Sequence, residues 1–177
     1  MKVSYLQPYS FAVSIVILFF IAFDRWLWRI PPIARALHYP VLWGTWKGQL
    51  RSTWIDPSTG QGTEPIDVFL VIRQTYSTVS ITLMTKESSS RSLVASLDTP
   101  NDDIAGISSI YQNIPRTLIQ RTSRIHHGSL MLEVHGSPAN HLAGSYWTDR
   151  DTKGELVLDL RLPKIYTNFE EASKAIG

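Results

Sequence analysis

From Trp43 onward the chain breaks into eight short runs rich in Val, Ile, Thr, Tyr and Trp, separated by turn-forming residues. The runs are Trp43–Ile55, Ile66–Thr75, Thr78–Thr85, Ser90–Leu97, Ile107–Asn113, Ser129–Val134, Leu142–Arg150 and Glu155–Leu162. Between them lie Asp56-Pro57-Ser58-Thr59-Gly60, Thr99-Pro100-Asn101-Asp102, His135-Gly136-Ser137-Pro138 and Asp151-Thr152-Lys153-Gly154, each carrying Gly, Pro, Asn or Asp. No stretch of this part has a helical period before Asn168, and Phe169–Ile176 reads as a short terminal helix. Eight strands with short connections predict an all-β fold, an up-and-down antiparallel barrel of about eight strands. Closure removes the exposed sheet edges that invite aggregation. A barrel of this size is filled by side chains or holds one small ligand. A two-sheet sandwich is the architectural rival.

The first quarter of the chain differs from the rest. Val3 to Phe23 is 21 residues without a charge, and Ser14 is the one polar side chain from Phe11 to Phe23. As a helix, that run is roughly 32 Å long, about the hydrocarbon thickness of a bilayer. Trp26 and Trp28 follow, interleaved with Arg25 and Arg29, a pattern suited to the headgroup layer. A cleaved secretory signal fits less well, because only Lys2 precedes the run and no small-x-small site follows Phe23. The expectation is an N-terminal transmembrane helix. Arg25, Arg29 and Arg35 on its C-terminal side then place the barrel in the cytoplasm, by the positive-inside rule. Pro31-Pro32 ends any helix continuing past Ile30, and Ile33–Pro40 reads as a connector. The predicted organisation is an anchor and connector over 1–40 and a cytoplasmic barrel over 41–177, on a single-pass membrane protein.

Composition narrows the chemistry. The chain has 177 residues and no cysteine, which excludes disulfides, thiolate metal sites and a cysteine nucleophile. Past Pro40 there are 13 Lys and Arg against 14 Asp and Glu, so the barrel is near neutral and no DNA or RNA polymer is expected as partner. Within it Arg116, Arg121 and Arg124 cluster without an intervening acid, as a solvated loop or as a basic rim for a phosphorylated ligand. His126-His127, His135 and His141 lack an acid at a recognised ligand spacing, so no metal is expected. There is no Gly-x-Ser-x-Gly elbow, no Walker loop and no Gly-x-Gly-x-x-Gly. The expectation is a binding module, not an enzyme.

Strand alternation sorts the candidate contacts. One face of Leu142–Arg150 carries Gly144, Tyr146, Thr148 and Arg150; the other carries Ser145, Trp147 and Asp149. Ser109, Tyr111 and Asn113 share a face, as do Gly44, Trp46, Gly48, Leu50, Ser52 and Trp54. Aromatic rings stack on planar rings, and Arg pairs bidentately with phosphate. The plainer reading is that Trp and Tyr fill a core while Arg150 pairs with a surface carboxylate.

Four segments carry a resemblance: Gly44-Thr45-Trp46-Lys47-Gly48, Tyr111-Gln112-Asn113-Ile114-Pro115, His126-His127-Gly128-Ser129, and the run from Gly144 to Gly154, which reads G-x-Y-x-T-x-R-x-T-x-G. Their order and spacing resemble the membrane-anchored, β-strand-rich effectors of bacterial cyclic-oligonucleotide antiphage signalling (CBASS). The resemblance runs from Trp43 to Leu160, and the last segment is its most specific piece. It implies a barrel that binds a cyclic dinucleotide made by a cognate nucleotidyltransferase. The signalling ligand then drives self-association into a homo-oligomer, inner-membrane disruption and abortive infection, with no cofactor. The family is described with two membrane helices, whereas this chain shows one span. An arrangement in which the nucleotide restrains the effector is equally open at this stage.

Combined with the face analysis, the expected ligand-binding residues are Trp46, Tyr111, Asn113, Tyr146, Thr148 and Arg150. Arg150 is placed on a phosphate, Thr148 donates a hydrogen bond, and Tyr111 or Tyr146 stacks on a base. The alternative is a membrane-tethered, lipocalin-like carrier or structural barrel with an apolar ligand. A carrier needs an apolar interior; a nucleotide site needs Arg, Thr, Asn and Tyr pointing inward.

Overall fold

The computed structural model describes residues 6–55, 59–99, 104–121 and 123–176, with side chains from Tyr9 onward. The expected turn residues Asp56-Pro57-Ser58 and Pro100-Asn101-Asp102 lie outside the described residues, as does Lys2. The chain forms two units: residues 1–39 with the turn 75–78, and residues 40–74 with 79–177.

In the first unit, helix α1 spans Leu6–Arg25 and is followed by a 3-10 turn, Leu27–Arg29, and helix α2, Pro31–Ala36. The residues of the expected span Val3–Phe23 that are described belong to α1, and among the described residues no helix is long and apolar enough to cross a membrane. Pro31 and Pro32 open α2 where a connector was predicted; proline is tolerated in a first helical turn, where its missing N–H has no partner to lose. Trp28 is fully buried and so departs from the headgroup-layer expectation, while Trp26 is 62% exposed. Trp28 lies edge-on to Tyr39 at 5.5 Å, and Tyr76 sits 5.2 Å from Phe23 and 5.3 Å from Tyr39.

The second unit is a closed antiparallel barrel with strands in chain order: β1 Gly44–Ser52, β2 Ile66–Gln74, β3 Val79–Met84, β4 Ser88–Asp98, β5 Gly106–Pro115, β6 His126–His135, β7 His141–Thr148 and β8 Lys153–Leu162. Closure comes from β1, which pairs with β2 on one side and β8 on the other. All eight predicted strands are present. β6 begins three residues earlier than predicted, at His126, and two other boundary differences have local causes. β1 stops at Ser52, whose Oγ accepts a hydrogen bond from the Trp54 amide. β7 stops at Thr148, because Arg150 N–H turns back to Thr148 Oγ1 at 3.2 Å and Thr148 Oγ1 bonds Thr152 Oγ1 at 2.6 Å. Asp151 completes that turn at φ 57°, a left-handed conformation that Asp tolerates better than most residues. A 3-10 turn at Thr117–Ile119, in the β5–β6 loop, was not predicted.

Alternation puts Leu70 and Ile72 of β2, Ile107 of β5, Leu132 of β6, Leu142 of β7 and Leu156 and Leu158 of β8 inside the barrel. Each such burial is worth about 1.5–3 kcal/mol relative to exposure. Where β1 begins, the barrel is plugged. Fully buried Leu42 donates its N–H to Gln74 Oε1 (2.7 Å), Gln74 Nε2 donates to Pro40 O (2.9 Å), and Trp46 Nε1 donates to Leu42 O (2.9 Å). Arg161 adds a bond to Val41 O at 2.8 Å. Two glycines permit the tight coiling: a Cβ on Gly48 would run into Val157 O, and one on Gly144 into Met131 O.

The expected terminal helix forms as α3, Phe169–Lys174, two residues shorter than predicted and capped by Asn168. Asn168 Oδ1 accepts from Glu171 N–H at 2.8 Å, and Phe169 packs on Phe69 with ring centroids 5.2 Å apart.

Candidate functional site

With one end plugged, the other end of the barrel opens into a cavity of about 400 Å³. That is within the range of about 300–1,000 Å³ usual for small-molecule sites. Its deeper surface is apolar, with Leu50, Ile66, Ile81, Leu130 and Leu156. The upper wall is polar. β4 and β5 supply Ser88, Ser90, Ser92 and Ser109, opposite Thr148, Thr152, Arg150 and His126 from the β6–β8 side.

Tyr111, Asn113, Tyr146, Thr148 and Arg150, expected to share a site, all line this cavity. The parity argument holds for Tyr111, Asn113, Tyr146 and Thr148, because β5 and β7 alternate without a bulge across them; Arg150 lies beyond β7 and reaches the cavity from the turn that follows Thr148. Trp46 does not join them. It is fully buried in the core, bonded to Leu42 O, with the Arg161 guanidinium 5.5 Å from its ring. Its face assignment holds, but Trp46 sits near the start of β1, whereas Leu50, Ser52 and Trp54 from the same face reach the cavity. Asp149 points away: its Oδ2 accepts from His127 N–H at 3.0 Å.

The two tyrosines are set by cross-strand glycines. Tyr111 is paired with Gly128 and Tyr146 with Gly154. A Cβ on Gly128 would lie 2.5 Å from Tyr111 Cζ, and one on Gly154 would lie 2.7 Å from Tyr146 Cε1. Each ring therefore lies flat against the wall over a residue with no side chain. Burial pushes the Tyr111 phenol well above its ordinary value, with further upward pressure from Tyr146 and Asp149. Burial also raises Tyr146, partly offset by a hydrogen bond with Ser52. Both remain neutral hydroxyls at physiological pH.

Asn113 is 8% exposed, and its Nδ2 donates to Ser90 Oγ (2.8 Å) and Ser88 Oγ (3.0 Å), which fixes the amide plane. Arg150 Nη1 donates to Ser123 Oγ at 3.1 Å and lies 3.5 Å from His126 Nδ1. No carboxylate neutralises it among the described residues, contrary to the plainer expectation of a surface ion pair. Of the predicted basic cluster, Arg116 is tied to Glu170, and none of Arg116, Arg121 and Arg124 lines the cavity. His135 and His141 face each other across β6 and β7 with ring centroids 5.4 Å apart, His141 bonds Asp159 at 2.5 Å, His127 lies beside Asp149, and His126 alone among the four faces the cavity. Among the described residues no group of three or more His, Asp or Glu could hold a metal ion.

The expected ligand set leaves out His126 and the four serines, although Ser109 shares the face of Tyr111 and Asn113. The signal for the serines was present in β4, where Ser88, Ser90 and Ser92 recur at the strand period on the face that should have been apolar.

The arrangement thus offers two flat phenols, a fixed amide, a band of hydroxyls and one unneutralised guanidinium around a cavity open at one end. Those groups can stack, hydrogen-bond and hold an anion. Residues 37–159 match the family model of the Cap15 cyclic dinucleotide receptor domain, 123 of the 177 residues and all of those named above as lining the cavity. A search of the curated proteins finds no match. The chain therefore belongs to the Cap15 cyclic dinucleotide receptor family, the cyclic-dinucleotide-sensing effectors of CBASS.

Proposed function

We propose that this protein is an antiphage effector whose barrel holds a cyclic dinucleotide in the mouth cavity and whose N-terminal helix anchors it in the bacterial inner membrane, with the barrel in the cytoplasm. The ligand is made by a cognate nucleotidyltransferase. Its binding drives self-association, disruption of the inner membrane and abortive infection. The protein is a sensor and performs no chemistry on the nucleotide.

The observation that carries the ligand reading is the convergence of Tyr111, Asn113, Tyr146, Thr148 and Arg150 on one cavity within the matched segment. The polar upper wall counts against a carrier of apolar ligands, which would gain nothing from an unpaired guanidinium and a ring of hydroxyls. Anchoring is supported by α1. Seven consecutive residues, Ile15 to Ile21, are each 46–64% exposed, so every face of the helix is apolar and unpacked.

The test is a thermal-shift screen of the full chain in detergent against cyclic di- and trinucleotides. A ligand at a hundred times its Kd should add about 2.7 kcal/mol of stability. No shift with any member of the panel refutes the ligand reading. Recovery of the full chain in the soluble fraction of cells refutes the anchor.

A further inference from the structure

The barrel has a seam at which its wall is only partly fastened. β3 and β4 pair over three residues, Thr82 with Arg91, Leu83 with Ser90 and Met84 with Ser89. β4 then continues from Ser92 to Asp98, paired with β5 on one side. Among the described residues no strand pairs with its other side. The last tie across the seam is a side chain standing where a strand carbonyl would: Ile81 N–H donates to Ser92 Oγ at 3.0 Å. The register shifts between Ser92 and Val94, and the bulged Leu93 and its neighbour Val94 are 62% and 63% exposed.

An unpaired edge presents a row of backbone donors and acceptors that other chains can extend, and natural edges are blunted by charge, proline or brevity. Ser92-Leu93-Val94-Ala95-Ser96-Leu97 has neither charge nor proline, and Asp98 is the first ionised residue. The bulge at Leu93 is its one blunting device. The apolar surface also continues onto the outer wall. Val94 is opposite Ile110, Ile110 opposite Ser129 and Ser129 opposite Trp147, with Ile110 52% and Trp147 46% exposed. Nothing charged interrupts that row.

The chemistry selects the occupant. It must be an extended segment, apolar where it meets Leu93 and Val94, and without a charge facing the edge. The same edge of another copy satisfies all three conditions. Related by a two-fold axis through Ala95, two antiparallel edges are self-complementary, with Asp98 opposite Ser92 and no like charges opposed within the pair. We infer that the Ser92–Asp98 edge of β4 pairs antiparallel with the same edge of a second copy, joining two barrels through one continuous sheet. This gives the self-association proposed above a location and to that extent rests on that reading; the edge itself is independent of what the cavity holds. Ile81 and Ser92 line both the cavity and the groove outside the seam, so a ligand and a pairing strand touch the same two residues.

The described chain has no cysteine, so one introduced thiol reports one contact. Directly opposed antiparallel residues have Cα atoms about 4.5–5.5 Å apart. A disulfide spans about 4.4–6.8 Å. Val94→Cys, Ala95→Cys, Ser96→Cys and Asp98→Cys are made in the full chain, in detergent, with Ser145→Cys on the exposed outer face of β7 as control; Ala95 is the position that opposes itself when the whole edge is paired. Each is oxidised mildly, with and without the cyclic-nucleotide panel, and a thermal melt of the same samples reports folding and ligand binding. The expected result is a covalent dimer at one or more edge positions, Ala95→Cys first among them, in excess of the Ser145→Cys background, and its loss when Val94→Lys is added to an Ala95→Cys, Ser96→Cys or Asp98→Cys variant that cross-links. Folded protein that gives no dimer at any edge position, or equal dimer at Ser145→Cys, overturns the inference. A dimer with no thermal shift upholds the edge and counts against the nucleotide. A thermal shift with no edge dimer upholds the nucleotide and sinks the edge.

Discussion

Arg150→Ala removes the one guanidinium that reaches the cavity without a carboxylate partner. In the free protein it makes one solvent-exposed hydrogen bond, to the uncharged Ser123 hydroxyl, so its loss costs the fold about 1 kcal/mol. Toward a phosphodiester the same group would make a charge-assisted hydrogen bond, worth roughly 1.5–3 kcal/mol. At about 1.4 kcal/mol per decade, Kd should weaken by about tenfold to a hundredfold. Arg150→Lys keeps the charge but loses the planar fork, and should fall between the two. Titration calorimetry with the cyclic nucleotide that gives the largest thermal shift measures all three. Asp149→Ala is the control: its carboxylate serves the His127 amide outside the cavity, and removing a nearby negative charge should leave anion binding unchanged or slightly tighter. Wild-type affinity in Arg150→Ala, with the fold intact, would refute the reasoning, because the mouth would then not be where phosphate sits.

Three further outcomes are expected. Trp46→Ala should cost about 3–5 kcal/mol of stability and collapse the plugged end, while Trp46→Phe in still-folded protein should leave ligand affinity near wild type; chemical denaturation and calorimetry separate these. Gly128→Ala should destabilise the barrel by about 1–3 kcal/mol, since the new Cβ meets the Trp147 carbonyl at 2.5 Å and the Tyr111 ring, and a melt with no loss of stability contradicts that packing. Glu170 is held below its ordinary value of 4.5 first by the hydrogen bond from Arg116, so its contribution is present above that value and lost as pH falls through the depressed folded value. The difference in melting temperature between wild type and Glu170→Gln should accordingly close on acidification, and a gap that persists at the lowest pH means that the pair does not stabilise the fold.

The barrel was legible because its signal is periodic and repeated. Each strand alternates, and each is cut by a turn whose chemistry is local, so the order and pairing of eight strands follow from the runs alone. What escaped depends on partners distant in sequence. Gln74 looked like the tail of a strand, yet it is 2% exposed, because both ends of its amide serve backbone groups of Pro40 and Leu42. Trp28 matched a headgroup-layer pattern and is instead buried beside Tyr39, with Tyr76 contributed from a turn almost fifty residues away. Hydropathy patterning reads a residue's neighbours along the chain and is blind to such closures.

The site shows the same division more sharply. Parity assigns a side chain to the inside of a barrel but not to a height along its axis, and height decides between core and cavity. Trp46 and Leu50 share one face of β1, four residues apart, yet one seals the plug and the other meets the ligand space. Height can be recovered from strand direction. In an up-and-down barrel the late residues of odd strands and the early residues of even strands converge on one end. Tyr111 and Asn113 come late in β5, Tyr146 and Thr148 late in β7, Ser88 and Ser90 early in β4, and His126 first in β6. Applied to the sequence, that rule removes Trp46, which comes early in β1, and adds the serines and His126. Three of the four segments that carry the resemblance, at the end of β5, the start of β6 and the end of β7 with its turn, meet at the open end, where a ligand can enter, while the fourth, Gly44–Gly48, lies at the end committed to closing the barrel.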